Sequence, residues 1–197
     1  MHLNKGYDKK LYIEVWYLYS MSRILTGIYF LIFWGFSDLI RIIEVAGGVS
    51  MYHVLPRSKA KALSYSRLAR ALVIISITDI DSSSVIFAKN EQIKAILRLS
   101  FNDVDRGSFG AMNENDAESI VHFCNKWILK ADLLVHCEAG ISRSAGVCAA
   151  IMKWYEKSDM QIFGNAYYRP NMHCYREVLK AFERSIETDR EHYNGYF

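Results

Sequence analysis

Three short apolar runs divide this chain: Ala71–Ile77, Ala95–Phe101 and Ala131–His136. Each is rich in Val, Ile and Leu and too short for an independent helix, the pattern of strands buried on both faces of a sheet. Met51–Leu55 reads as a first strand ahead of them. Between the runs the apolar spacing turns helical. Ser58–Arg70 reads as one helix; counting from Arg57 it carries Arg57, Lys59, Lys61, Arg67 and Arg70 with no acid, a solvated basic face. Asn115, with Glu118 three residues on, is placed to cap the next helix, whose apolar stripe is Ile120, Phe123, Cys124, Trp127 and Ile128. A small-residue helix follows at Ala145–Trp154. Asn171 caps a last one, with Tyr175, Val178, Leu179, Phe182 and Ile186 as its buried face. The two prolines, Pro56 and Pro170, fall at boundaries. Strands alternating with helices predict an α/β domain with a mostly parallel central sheet flanked by helices.

Residues 1–50 differ from the rest. Ile24–Ser37 is uncharged, but its 14 residues fall short of the roughly 18 that a spanning helix needs. Lys9 and Lys10 lie too far upstream, and Val45-Ala46-Gly47 is too poor a cleavage site, for a signal peptide. The expectation is a helical extension over 1–50, with membrane contact through 24–37 as the lesser reading, and a self-sufficient domain over 51–197. A composition of 51% hydrophobic and 23% charged residues is that of a globular chain. The net charge of +3 suits anionic substrates without pointing to nucleic acid or to a membrane. Cys124, Cys137, Cys148 and Cys174 form no CxxC pair, so neither a zinc site nor a redox dithiol is suggested. Reduced thiols and a cytoplasmic location are expected.

One segment carries chemistry: Leu133-Leu-Val-His-Cys137-Glu-Ala-Gly140-Ile-Ser-Arg143-Ser144. An apolar strand runs into a cysteine, then a short loop, then a helix. This places Cys137 at the carboxyl end of a strand, where open α/β sheets bind ligands. A loop ending at a helix start turns unpaired backbone N–H groups inward and can cradle an anion. Gly140 allows the backbone to close around it with φ > 0. Arg143 offers a planar fork that matches two phosphate oxygens, which lysine cannot do. A thiol facing this cradle is set up as a thiolate nucleophile.

His136-Cys137-x5-Arg143-Ser144 resembles the signature loop of the protein tyrosine phosphatase superfamily, particularly its small dual-specificity type. Over residues 51–197 the chain is similar to a compact bacterial or phage-type branch, through Tyr52-His-Val-Leu-Pro-Arg-Ser, Phe101-Asn-Asp103-Val-Asp105 and Arg169-Pro-Asn171. The first 50 residues have no counterpart there. The resemblance implies a protein phosphatase acting on phosphotyrosine, with phosphoserine and phosphothreonine as further substrates, through a phosphocysteine intermediate and with no metal or cofactor. It implies that Cys137 is the nucleophile, Arg143 the phosphate clamp and Ser144 the hydroxyl that stabilises the departing thiolate. Glu138, Ala139, Gly140, Ile141 and Ser142 would line the phosphate together with Arg143. The general acid would be an aspartate in the loop after the apolar run Ala95–Phe101, about thirty residues before the cysteine. Asp103 and Asp105 lie 34 and 32 residues before Cys137; the Phe-x-Asp-Val-Asp context favours Asp103, with Asp105 as the alternative. His136 would orient the cysteine, and Asn171 would lie near the loop.

Other readings compete. A phosphoinositide or RNA 5′-phosphatase shares the chemistry, but tends to carry lysines in the loop, whereas Glu138 repels polyanions. A rhodanese-type sulfurtransferase needs neither Asp103 nor the Arg-Ser ending. A non-catalytic phosphate-binding module would have lost Cys137, Arg143 or the acid, and all are present. The expected partner is a phosphorylated protein or peptide, not a nucleic acid.

Overall fold

The computed structural model of the protein describes residues 51–194. Residues 1–50, with the expected helical extension and the 24–37 stretch, lie outside the described residues. The strands are β1 (Tyr52–Pro56), β2 (Leu72–Thr78), β3 (Ile93–Ser100) and β4 (Asp132–Cys137). The helices are α1 (Arg57–Ser64), α2 (Glu114–Trp127), α3 (Arg143–Tyr155), α4 (Met160–Phe163) and α5 (Met172–Asn194). The sheet runs β1-β4-β2-β3 with every pairing parallel, so the α/β architecture expected from the apolar runs is the one observed.

The two inner strands, β2 and β4, are buried at every position, as continuous apolar runs require. Side chains alternate between faces along a strand. Val73, Ile75 and Ile77 of β2, with Leu133 and Val135 of β4, pack with Ile120, Val147, Ile151, Val178 and Phe182 of α2, α3 and α5 in the main core. Leu72, Ile74 and Ser76 face the other way, where Ser76 meets His136 and Phe87 stands edge-on to the His136 ring. Helix α3 is buried from Arg143 to Met152 and packs on β4, β1 and α5. Its Ser144-Ala145-Gly146 and Ala149-Ala150 keep it slim enough to lie that close.

Three expectations need correction. Helix α1 stops at Ser64 instead of reaching Arg70. Asn90 Nδ2 donates to the carbonyls of Ser64 and Ser66, satisfying groups that a longer helix would have bonded itself. The basic run is thereby split, and Arg70, beyond the helix, pairs with buried Asp132 at 3.5 Å. The capping box of α2 is Asn113 with Asp116, not Asn115 with Glu118. In that frame Ala117, Ile120, Val121 and Cys124 face inward, while Phe123 and Trp127 are only half-buried. On α5 Val178 and Phe182 are buried, but Ile186 is 39% exposed, because the helix has by then run past the core.

Candidate active site

The register of the sheet puts the ends of three strands together: Pro56 pairs with Cys137, and Ser76 with His136. Cys137 is the last residue of β4 and is 2% exposed. The chain then turns through Gly140 at φ 69°, where a Cβ would collide with the backbone of Leu55 and Pro56. Only glycine lets the loop lie against β1 there. Helix α3 opens at Arg143, so the loop ends on a helix N-terminus whose free N–H groups and dipole favour negative charge in the cradle.

Two side chains of that first turn define the site. Ser144 Oγ lies 3.1 Å from Cys137 Sγ, both buried. Arg143 is 4% exposed, and its Nη1 donates to the carbonyl of Phe101 at 2.7 Å and to Asp79 Oδ1 at 2.7 Å. Its Nε is buried, with no hydrogen-bonding partner among the described residues. A buried donor left unmade is costly unless a ligand supplies the acceptor. One edge of the guanidinium is thus anchored while Nε waits for an acceptor.

Asp103 joins the same loop. Ser142 Oγ and Asn171 Nδ2 both donate to its Oδ1 at 2.8 Å. Asp105 sits in the turn beyond; its carbonyl accepts from Ser108 N, its side chain is exposed, and no contact of its carboxylate with the loop occurs among the described residues. His136 is fully buried and bonded through Nε2 to Ser76 Oγ at 2.8 Å; burial pushes its pKa down to about 4, so it stays neutral. Glu138 is exposed and paired with Arg57 at 3.2 Å. Ala139 is exposed and Ile141 is half-buried. Ile141 O accepts from Arg169 N, and Ser142 O from Asn171 N, which fastens the loop to the segment before α5.

The structure therefore brings Cys137, Ser142, Arg143, Ser144, Asp103 and Asn171 together. Sequence reasoning missed Asp79 and Arg57. Asp79 directly follows β2, at the same sheet end as Cys137, and an acid at that place was the signal available. Arg57 follows Pro56; its backbone N–H donates to Glu138 O and its Nη2 to Ser83 O, so it straps the loop to the β2–β3 connection. A groove of about 740 Å³ between β3 and α2, lined by Lys94, His122 and Trp127 among others, contains none of these residues.

Fold and site together define a cysteine-centred anion cradle at the carboxyl edge of an open parallel sheet. No family model and no curated protein matches the sequence. Among solved structures it is similar to human DUSP28, with 18% identity over 70% of this chain and 94% of that one and a TM-score of 0.45. It is similar to PTPMT1 in complex with PI(5)P, with 20% identity over 71% of this chain and 94% of that one and a TM-score of 0.45. A third is the human tyrosine phosphatase-like serine/threonine/tyrosine-interacting protein, with 19% identity, 70% and 91% coverage and a TM-score of 0.43.

Proposed function

We propose that this chain is a cysteine-dependent phosphatase that hydrolyses phosphotyrosine in proteins or peptides, and phosphoserine and phosphothreonine with it. The observation that carries the reading is Arg143: a buried guanidinium fixed by Asp79 and Phe101 O, with an Nε that has no partner among the described residues, one residue from the serine that touches Cys137 Sγ. In the first step the Cys137 thiolate attacks phosphorus. The S–P bond forms as the P–O bond to the substrate oxygen breaks, and Asp103 delivers the proton to that oxygen. In the second step water attacks the phosphocysteine and gives its proton back to Asp103, while Ser144 Oγ donates to the departing thiolate. Loop N–H groups and Arg143 hold the equatorial oxygens throughout.

A singly phosphorylated substrate suits the loop. Positions 138, 139, 141 and 142 add no cation, and the charge of Glu138 is balanced by Arg57 rather than standing free. All four cysteines are free, which favours a reducing compartment such as the cytoplasm. The test is Cys137→Ser. It should abolish turnover of phosphotyrosine peptides and p-nitrophenyl phosphate yet still bind vanadate. Activity above a few per cent of wild type in that variant overturns the nucleophile. Asp103→Asn should remove the alkaline limb of kcat/KM, because a general acid must be protonated and activity falls as pH rises through its pKa; Asp105→Asn should keep that limb.

A further inference from the structure

Asn171 uses every polar atom it has. Its N–H donates to Ser142 O and its carbonyl accepts from Tyr175 N, both at 3.1 Å. Its Oδ1 accepts from His173 N at 2.9 Å and Cys174 N at 3.0 Å, capping α5. Its Nδ2 donates to Asp103 Oδ1 at 2.8 Å and to Val104 O at 3.3 Å. Behind it, Gly146 of α3 leaves no room for a Cβ against the Asn171 carbonyl, so the backbone is fixed from that side too.

Capping alone does not explain this choice. A helix N-cap needs only a side-chain acceptor, which Ser, Thr or Asp also supplies. An amide carries its acceptor and its donors on separate atoms, so Oδ1 can cap the helix while Nδ2 reaches a different group, which a single hydroxyl oxygen or a carboxylate cannot do as well. Here the donor goes to the carboxylate placed as general acid. Asp103 is exposed, in a connection without regular structure that passes through left-handed Gly107 and Gly110. Ser142 holds the same oxygen, but from within the cysteine loop itself.

We propose that Asn171 is a positioning residue for the general acid: it pins Asp103 Oδ1 so that Oδ2 faces the leaving-group oxygen, and ties the first turn of α5 to proton transfer. This rests on the phosphatase reading above. Two variants of the full chain test it. Asn171→Ser keeps a cap acceptor but is too short to reach Asp103. Its thermal midpoint should stay near wild type. Its kcat/KM on a phosphotyrosine peptide should fall by about 10- to 100-fold, the scale of a misplaced catalytic group. On p-nitrophenyl phosphate, whose leaving group needs little protonation, it should fall only a few-fold. Asn171→Asp also keeps the cap but sets a carboxylate against Asp103. The like charge favours the protonated acid, so the alkaline limb of kcat/KM should move to higher pH.

Equal losses on both substrates, with the alkaline limb of Asn171→Asp unmoved, would reduce Asn171 to a helix cap. Loss of folding in both variants would do the same, since each retains the acceptor α5 needs. Failure of the phosphatase reading itself is a separate result: wild type would turn over neither substrate, or Cys137→Ser would remain active.

Discussion

Arg143 is a full charge at the floor of the site, and its neighbours decide which of its atoms can meet a ligand. Phe101 O and Asp79 take Nη1, so the remaining edge is presented in one orientation, which is what a bidentate contact to phosphate requires. Arg143→Lys keeps the charge and loses the fork. Its kcat on p-nitrophenyl phosphate should drop by about 10²–10³, the scale of a lost transition-state donor, and nearly match Arg143→Ala. Asp79→Asn keeps an acceptor for Nη1 but not the countercharge, and should cost less than either. Near-normal kcat in the lysine variant would rule out a clamp. Cys137 to Ser144 was legible because the loop is contiguous, each residue's chemistry stated by its neighbours. Asp79 was not, because its partner is remote in sequence and an isolated aspartate after an apolar run looks like any turn residue. Asp103 was separable from Asp105 only by context in the sequence. In the structure it is Asp103 that Ser142 and Asn171 tether to the loop.

Among the elements, α3 shows how packing overrides propensity. A glycine inside a helix costs about 1 kcal/mol relative to alanine, so Gly146→Ala would stabilise an isolated α3. In the folded chain the added Cβ meets the Asn171 backbone, which is held by Ser142 and by α5 and cannot easily yield. Gly146→Ala should therefore lower the melting temperature measured by circular dichroism. It should also reduce phosphotyrosine turnover more than p-nitrophenyl phosphate turnover. A higher melting temperature with both activities intact would show that the contact is soft. Element types followed from apolar periodicity, whereas element ends did not. Asn113-x-x-Asp116 and Asn115-x-x-Glu118 are equally good boxes on paper, and burial of Ala117 and Val121 chose between them. The end of α1 depended on Asn90, some two dozen residues away.

At the scale of the molecule, every residue assigned to the site lies between Arg57 and Asn171, and β1 begins at Tyr52. Met51 already joins the sheet: its N–H donates to Asp132 Oδ1 at 3.0 Å and its carbonyl accepts from Leu133 N at 2.8 Å. A chain beginning at Met51 should therefore fold and keep wild-type kcat on p-nitrophenyl phosphate. Its new terminal ammonium would still donate to Asp132. Insolubility or loss of activity would make residues 1–50 part of the fold. The parallel sheet was legible in the buried runs, but the order β1-β4-β2-β3 was not, since periodicity says how a strand is buried and nothing of its neighbours. On the proposed phosphatase reading, that order, and the tie between Ser142 and Asn171, also bear on when activity can arise. Synthesis proceeds from the N-terminus, and contacts distant in sequence form last. The Cys137 loop is synthesised before the segment that carries Asn171. On that reading, a chain whose Cys137 loop has formed before α5 has docked carries a thiol without an oriented proton donor, and hydrolytic competence would arrive only as the final helix docks.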